Sequence, residues 1–279
     1  PAALDLAAQV RPRWRLVAAS SALVFATYAV LIQTWRVVLR EIGGELSFGE
    51  AAYVWLVANL ARYLPGSLWQ IGALGTLARR HGIPIANTTA AALVLTVANV
   101  ITGLILFGVL GATQLHLDAK ARLIIGVGIV ALAAAPFVAA RSSRLLSAIF
   151  RRPVTVPHPN PRAIGAAVVG TTLGWIGYGF AFQLLAAGLL PAAGAGAGHA
   201  AYVATYAGSY LAGFLSILPP AGLGVAEAAM VHLGPLFGVA TAPQAALLAI
   251  GVRIWRTVNE IAPGALALLV PADRLGRRG

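Results

Sequence analysis

Residues 85–110, IANTTAAALVLTVANVITGLILFGVL, run without one charged side chain. A helix of about 20 residues crosses the hydrocarbon of a bilayer, and this run exceeds that length. Comparable apolar stretches lie at Leu16–Val38, Leu123–Ala140, Ala163–Leu190 and Ala245–Val270. The chain as a whole is 59% hydrophobic and 10% charged over 279 residues, with a mean hydropathy of +0.83. A soluble domain of this length carries more charge to cover its surface. The apolar runs do not alternate with polar residues as barrel strands do. The sequence therefore predicts an all-α polytopic membrane protein, one integral domain over residues 1–279.

Charge orients the chain. Its formal net charge is +12, from 20 Lys+Arg against 8 Asp+Glu. In a membrane protein this excess marks cytoplasmic loops facing anionic headgroups, not nucleic acid. The arrangement favoured by the positive-inside rule puts Arg36, Arg40, Arg79, Arg80, the arginines of the 141–162 loop and Arg274, Arg277 and Arg278 inside. That leaves the N-terminal side outside. PAALDLAAQV has neither a basic start nor a sustained apolar core, so it is no signal peptide; a span upstream of Pro1 would reconcile the two. The Arg, Ala and Gly bias points to a multi-pass protein of a bacterial cytoplasmic membrane.

Helix breakers interrupt the apolar pattern twice. Phe48–Leu64 is apolar but short and stops at Pro65-Gly66; a short helix follows, and the chain turns at Gly82-Ile83-Pro84 into a full span. Tyr202–Leu218 is likewise short and stops at Pro219-Pro220; Val225–Phe237 follows, with a turn at Gly238-Val239. Paired Pro/Gly-interrupted segments in two halves of a chain mark the binding site of many transporters. The expected architecture is about six full transmembrane helices plus two re-entrant helical hairpins in inverted repeat. The first repeat covers 48–140 with its hairpin at 48–80, and the second covers 199–270 with its hairpin at 199–237. The basic, Pro-rich loop 141–162 joins them. The hairpin tips fall at Pro65, Gly66 and Ser67, and at Pro219, Pro220, Gly222 and Gly224. Backbone groups freed there cannot face lipid, so they must face protein or a wet cavity. The alternative is that Pro and Gly kink ordinary helices.

Five motifs carry a resemblance: Trp35-Arg36 closing a span, LARYLPGSLWQIG at 60–72, HGIP at 81–84, LSILPPAGLGVAE at 215–227, and Arg253 in the last span. Together they resemble the transmembrane flippase region of bacterial lysylphosphatidylglycerol synthases and its stand-alone relatives. The likeness covers nearly the whole chain, and the second proline string is its most specific part. The first motif is looser, because many relatives show Gly-Glu where this chain has Trp69-Gln70. The resemblance implies lipid translocation between leaflets, or a role in handling lipid-linked glycans. The synthases' cytoplasmic aminoacyl-transferase domain has no counterpart in these residues, so lysine transfer is not expected of them.

The polar residues inside apolar segments point the same way. Arg62, Glu227, Arg253, Arg256, Asn259 and Glu260 lie in or beside such segments. An Arg or Asp at a helix centre costs about 2.5–3.5 kcal/mol on insertion scales, so these must pair or line a cavity. Arg253, Arg256 and Glu260 are spaced i, i+3, i+7 on one helical face. Three arginines against Glu227 and Glu260 leave a spare positive charge, which suits a lipid phosphate held bidentately. The competing reading is an ion-pair network that only locks the bundle, with Arg256–Glu260 as a local i, i+4 pair. Gln70 is a further candidate. Trp69 reads equally as a headgroup-stacking or an interfacial residue, and His232 as a packed histidine or a proton carrier.

Enzyme readings find less support. The chain has no Walker A string and no cysteine, its sole lysine is Lys120, and its histidines lack metal-ligand spacing. No cofactor or metal is expected. The expected partner is a membrane lipid, either a phospholipid or a polyprenyl-linked lipid, with a second copy of the chain or a lipid-modifying enzyme left open. The function read from the sequence is a lipid translocase. Its alternatives are an intramembrane transferase acting on a lipid-linked sugar, with Glu227 as base, and a membrane partner protein that transports nothing.

Overall fold

The computed structural model describes residues 11–63, 69–111, 126, 159–190, 196–216 and 222–270. Among them every regular element is helical. In chain order these are α1 (Trp14–Glu41), α2 (Phe48–Leu60) followed by a 3₁₀ turn (Ala61–Tyr63), α3 (Trp69–Arg79), α4 (Ile85–Gly111), α5 (Pro161–Leu189), α6 (His199–Leu215), α7 (Val225–Leu236) and α8 (Ala242–Leu268). The expected span 123–140 and the tip residues Pro65, Gly66, Ser67, Pro219 and Pro220 lie outside the described residues, as does most of the 141–162 loop.

Local signals set the boundaries. The Ser47 hydroxyl accepts from Glu50 N while Glu50 Oε2 accepts from Ser47 N at 2.7 Å, a capping box that starts α2. Asn160 accepts from Ala163 N at 2.8 Å and Pro161 occupies the first turn, so α5 begins at the end of the basic loop. Before α7, Gly222 and Gly224 adopt φ of +66° and +85°, a left-handed backbone that glycine takes without the usual Cβ penalty. Gly222 also lies against the backbone of Gly213 in α6.

Among the described residues three helices, α1, α4 and α5, are both long and apolar enough to cross a membrane. The eighth is as long as α4 at 27 residues, but carries Arg253, Arg256 and Glu260. By contrast α2, α3 and α7 have 13, 11 and 12 residues. At 1.5 Å per residue they reach about 16–20 Å, well short of the ~30 Å hydrocarbon core.

The short helices pack as antiparallel partners of their neighbours. In the first pair, Gln70 meets Asn59 at one end, and His81, just beyond α3, meets Glu50 in the first turn of α2 at the other. In the second, Gly213 lies against Ala226 and Gly208 against Leu233. The chain thus returns in the first pair to the level at which it entered, and in the second α7 runs back along α6 to the level of Gly208. Around them, α1 packs along α5, close enough that Thr27 and Thr34 lie where Cβ atoms on Gly177 and Gly170 would stand. Ser20 adds a 2.6 Å bond to the Ala181 carbonyl. Small residues allow this approach where lipid supplies no hydrophobic drive between helices. Against both short pairs rests α8, which contacts α2 on one side and α7 on the other.

Candidate functional site

Arg62 stands in the 3₁₀ turn that closes α2, where the helix tightens just before the first break. From there its guanidinium reaches α8: Nη1 donates to Glu260 Oε1 at 2.9 Å. The Tyr63 hydroxyl donates to the other oxygen, Oε2, at 2.8 Å. One turn before Glu260 on α8, Arg256 Nε lies 3.7 Å from Oε1. Glu260 is 4% exposed, so it needs these partners. A carboxylate taken out of water is tolerable only when paired and hydrogen-bonded. Behind Arg62, Gln70 Oε1 accepts from Nη2 at 3.2 Å while its amide donates to Asn59 Oδ1 at 2.6 Å. The turn, α3 and α2 are thereby tied to a single guanidinium. Arg256 also lies over the Tyr210 ring, 5.6 Å from its centroid, within cation–π range.

These groups line a cavity of about 140 Å³ between α1, α2, α3, α4, α5, α6 and α8. Its lining includes the charged Arg62, Arg256 and Glu260 together with Tyr28, Tyr178, Tyr206 and Tyr210. Among the described residues, two arginines against one glutamate leave one positive charge in the cavity. In a low-dielectric surround such a charge attracts an anion strongly.

The sequence grouped three arginines with two glutamates; the structure divides them. Glu227 sits in the first turn of α7, its Oε2 accepting from Gly224 N at 2.6 Å, and Arg253 lies 3.5 Å from its Oε1. This balanced pair belongs to a smaller side cavity that shares Tyr206, Tyr210 and Arg256 with the main one. The division follows from α8 facing a different helix pair on each side. The local Arg256–Glu260 pair exists, but the shorter contact to Glu260 comes from Arg62. Asn259 lines the cavity, with its amide donating to the Trp255 carbonyl at 2.8 Å. Gln70 lines it too. Trp69, 56% exposed, and His232, exposed on α7, line neither cavity; His232 is therefore not a packed histidine.

The four cavity tyrosines, Tyr63 and Asn59 were not singled out from the sequence. A signal for the tyrosines exists. Tyr28 and Tyr178 lie near the middle of α1 and α5, away from the interfacial belts where membrane tyrosines concentrate. Tyr206, Tyr210 and Phe214 follow at i, i+4, i+8, one face of α6.

The sequence model of the lysylphosphatidylglycerol synthase transmembrane region matches residues 3–264. The chain belongs to this family. The match spans both short helix pairs, α8 through Glu260 and every cavity residue named above. No curated protein and no solved structure gives a significant match. Membership in the lysylphosphatidylglycerol synthase transmembrane-region family makes this a membrane protein of lipid biosynthesis or translocation.

Proposed function

We propose that the protein is a lipid translocase, moving a phosphate-bearing lipid or lipid-linked glycan between leaflets of a bacterial cytoplasmic membrane. The observation that carries this reading is the cavity with one spare positive charge, enclosed by helices whose outer faces are apolar. A buried charge in a membrane protein is costly, and Arg256 goes beyond what neutralising Glu260 requires. A phosphodiester brings a compensating negative charge, while its acyl or prenyl chains stay outside among exposed apolar side chains such as Val169, Leu173 and Ile254.

The two short helix pairs are read as re-entrant hairpins related by inverted repeat. None of α2, α3 and α7 is long enough to cross hydrocarbon, and in each pair the second helix runs back antiparallel along the first. Rocking one pair against α8 while the other holds would expose the headgroup cavity to alternate sides, since α8 touches both. The Arg62–Glu260 contact joins the first pair to α8, and Glu227–Arg253 joins the second; each is placed to act as a latch on one side.

The test is reconstitution of the purified protein in liposomes with a fluorescent phosphatidylglycerol in the inner and outer leaflets. Translocation without change to the lipid supports transport. Covalent modification of the lipid instead assigns a transferase, and neither outcome assigns a protein that acts only through partners.

A further inference from the structure

Beyond charge, the cavity carries an array of tyrosine hydroxyls to which the described residues offer no hydrogen-bond partner. Among the described residues, the hydroxyls of Tyr28, Tyr178, Tyr206 and Tyr210 donate to no protein group, whereas the Tyr63 hydroxyl is committed to Glu260. A phenol both donates and accepts, and buried tyrosines usually find a partner. Tyr28, Tyr178, Tyr206 and Tyr210 line the same cavity as Arg62 and Arg256. Their rings form a ladder. Tyr178 stacks on Tyr206 at 5.5 Å, Tyr206 on Tyr210 at 6.4 Å and Tyr210 on Phe214 at 6.2 Å, with interplanar angles of 21°, 25° and 10°. The ladder runs from the centre of the cavity along α6 to Phe214, which is 41% exposed.

Glu260, the only carboxylate lining the main cavity among the described residues, already has both oxygens engaged: one by Arg62 and Arg256, the other by Tyr63. A ligand amine entering here would meet two guanidinium groups and no free carboxylate. A ligand hydroxyl would meet four phenols able to bond it in either direction. The cavity's 140 Å³ corresponds to roughly ten waters, at 10–15 Å³ each on this measure. That is the scale of a glycerol or monosaccharide phosphodiester.

We infer that the cavity selects a monoanionic phosphodiester bearing a polyol headgroup, such as glycerol, inositol or a sugar, and rejects the same headgroup once it carries an amine. This rests on reading the cavity as a headgroup site. Arg62 and Arg256 hold the phosphate, the tyrosine hydroxyls bond the polyol, and the ring faces of the ladder receive its C–H surface. Selectivity against the amine comes from repulsion by the guanidinium groups and from hydration that the ammonium loses without compensation, so it needs no dedicated contact.

The experiment measures binding apart from movement. The full chain in detergent is titrated with dihexanoyl forms of four lipids: phosphatidylglycerol, phosphatidylethanol, phosphatidylethanolamine and lysylphosphatidylglycerol. Phosphatidylethanol keeps the anionic diester and lacks the hydroxyls. Phosphatidylglycerol is expected to bind about tenfold tighter than phosphatidylethanol, the worth of one or two net hydrogen bonds, and both tighter than the two amine lipids. In the triple variant Tyr178→Phe/Tyr206→Phe/Tyr210→Phe the ratio of the first two should fall towards one. Tyr206→Phe alone should lower it partway and covers the case that the triple variant folds poorly. Equal binding of phosphatidylglycerol and phosphatidylethanol by the unaltered chain, or a ratio untouched by the Phe changes, overturns the polyol assignment. Lysylphosphatidylglycerol bound as tightly as phosphatidylglycerol overturns the rejection of amines. Selective binding without any lipid movement in liposomes leaves this inference standing and defeats the transport reading; unselective movement does the reverse.

Discussion

Replacing Glu260 by Gln keeps the side-chain volume and removes the one charge that two arginines share. At 2.9 Å from Arg62 and 3.7 Å from Arg256, an effective dielectric of about 20 gives pair attractions of roughly 4–6 kcal/mol before desolvation is counted. Removing one member of a buried pair typically costs about 3–5 kcal/mol, because the partner is left buried and uncompensated. Arg62 keeps Gln70 as an acceptor and the cavity has room for water, which places the expected loss near the lower end, about 3 kcal/mol. For a chain of this size 1 kcal/mol shifts the melting midpoint by about 2–4 °C, so Glu260→Gln should melt roughly 6–12 °C lower. Tryptophan fluorescence in detergent reads this directly. The same change leaves the cavity with two positive charges, so short-chain phosphatidylglycerol should recover more of the variant's stability than of the parent's. A midpoint within about 1 °C of the parent would refute the claim that this trio is a coupled ionic unit.

Other outcomes follow from the packing. Gly170→Val places a branched side chain where Thr34 of α1 stands and should cost about 1–3 kcal/mol as overpacking, read as a lower melting midpoint and poorer yield. Gly222→Ala meets both a left-handed φ of +66° and the Gly213 backbone, 2.6 Å from the new Cβ; the conformational penalty alone is about 1–2 kcal/mol, and limited proteolysis should show looser coupling of α6 to α7. Because the chain has no cysteine, single cysteines at Arg79 and Ala242 report sidedness in intact cells. The inverted-repeat reading expects them to label from opposite faces, and labelling from one face contradicts it.

Much of the helical layout was legible because membrane helices obey simple local rules. Apolar runs, a capping box at Ser47–Glu50 and glycines at 222 and 224 mark ends that depend on neighbours in sequence. The site was legible only as a set of residues that do not belong in lipid. Which glutamate faces which arginine depends on how α8 lies between α2 and α7, and no local spacing encodes that. Arg256 and Glu260 looked like a pair because i, i+4 neighbours meet on any helix, while Arg62 reaches Glu260 from 198 residues away. The tyrosines escaped notice because a tyrosine in a membrane chain usually marks an interface; their position at mid-helix was the clue.

The central claim is that a spare positive charge in the cavity carries an anionic lipid across the membrane. Arg256→Gln tests it most directly, because the 2.9 Å Arg62–Glu260 pair stays intact and the cavity's net charge falls to zero. The measurement is dithionite quenching of fluorescent phosphatidylglycerol in liposomes containing the parent or the variant, with matched melting midpoints as the folding control. The account predicts rapid loss of inner-leaflet fluorescence with the parent and at least a tenfold slower loss with the variant, the effect of about 1.4 kcal/mol on the barrier. Equal rates for the two proteins would contradict it.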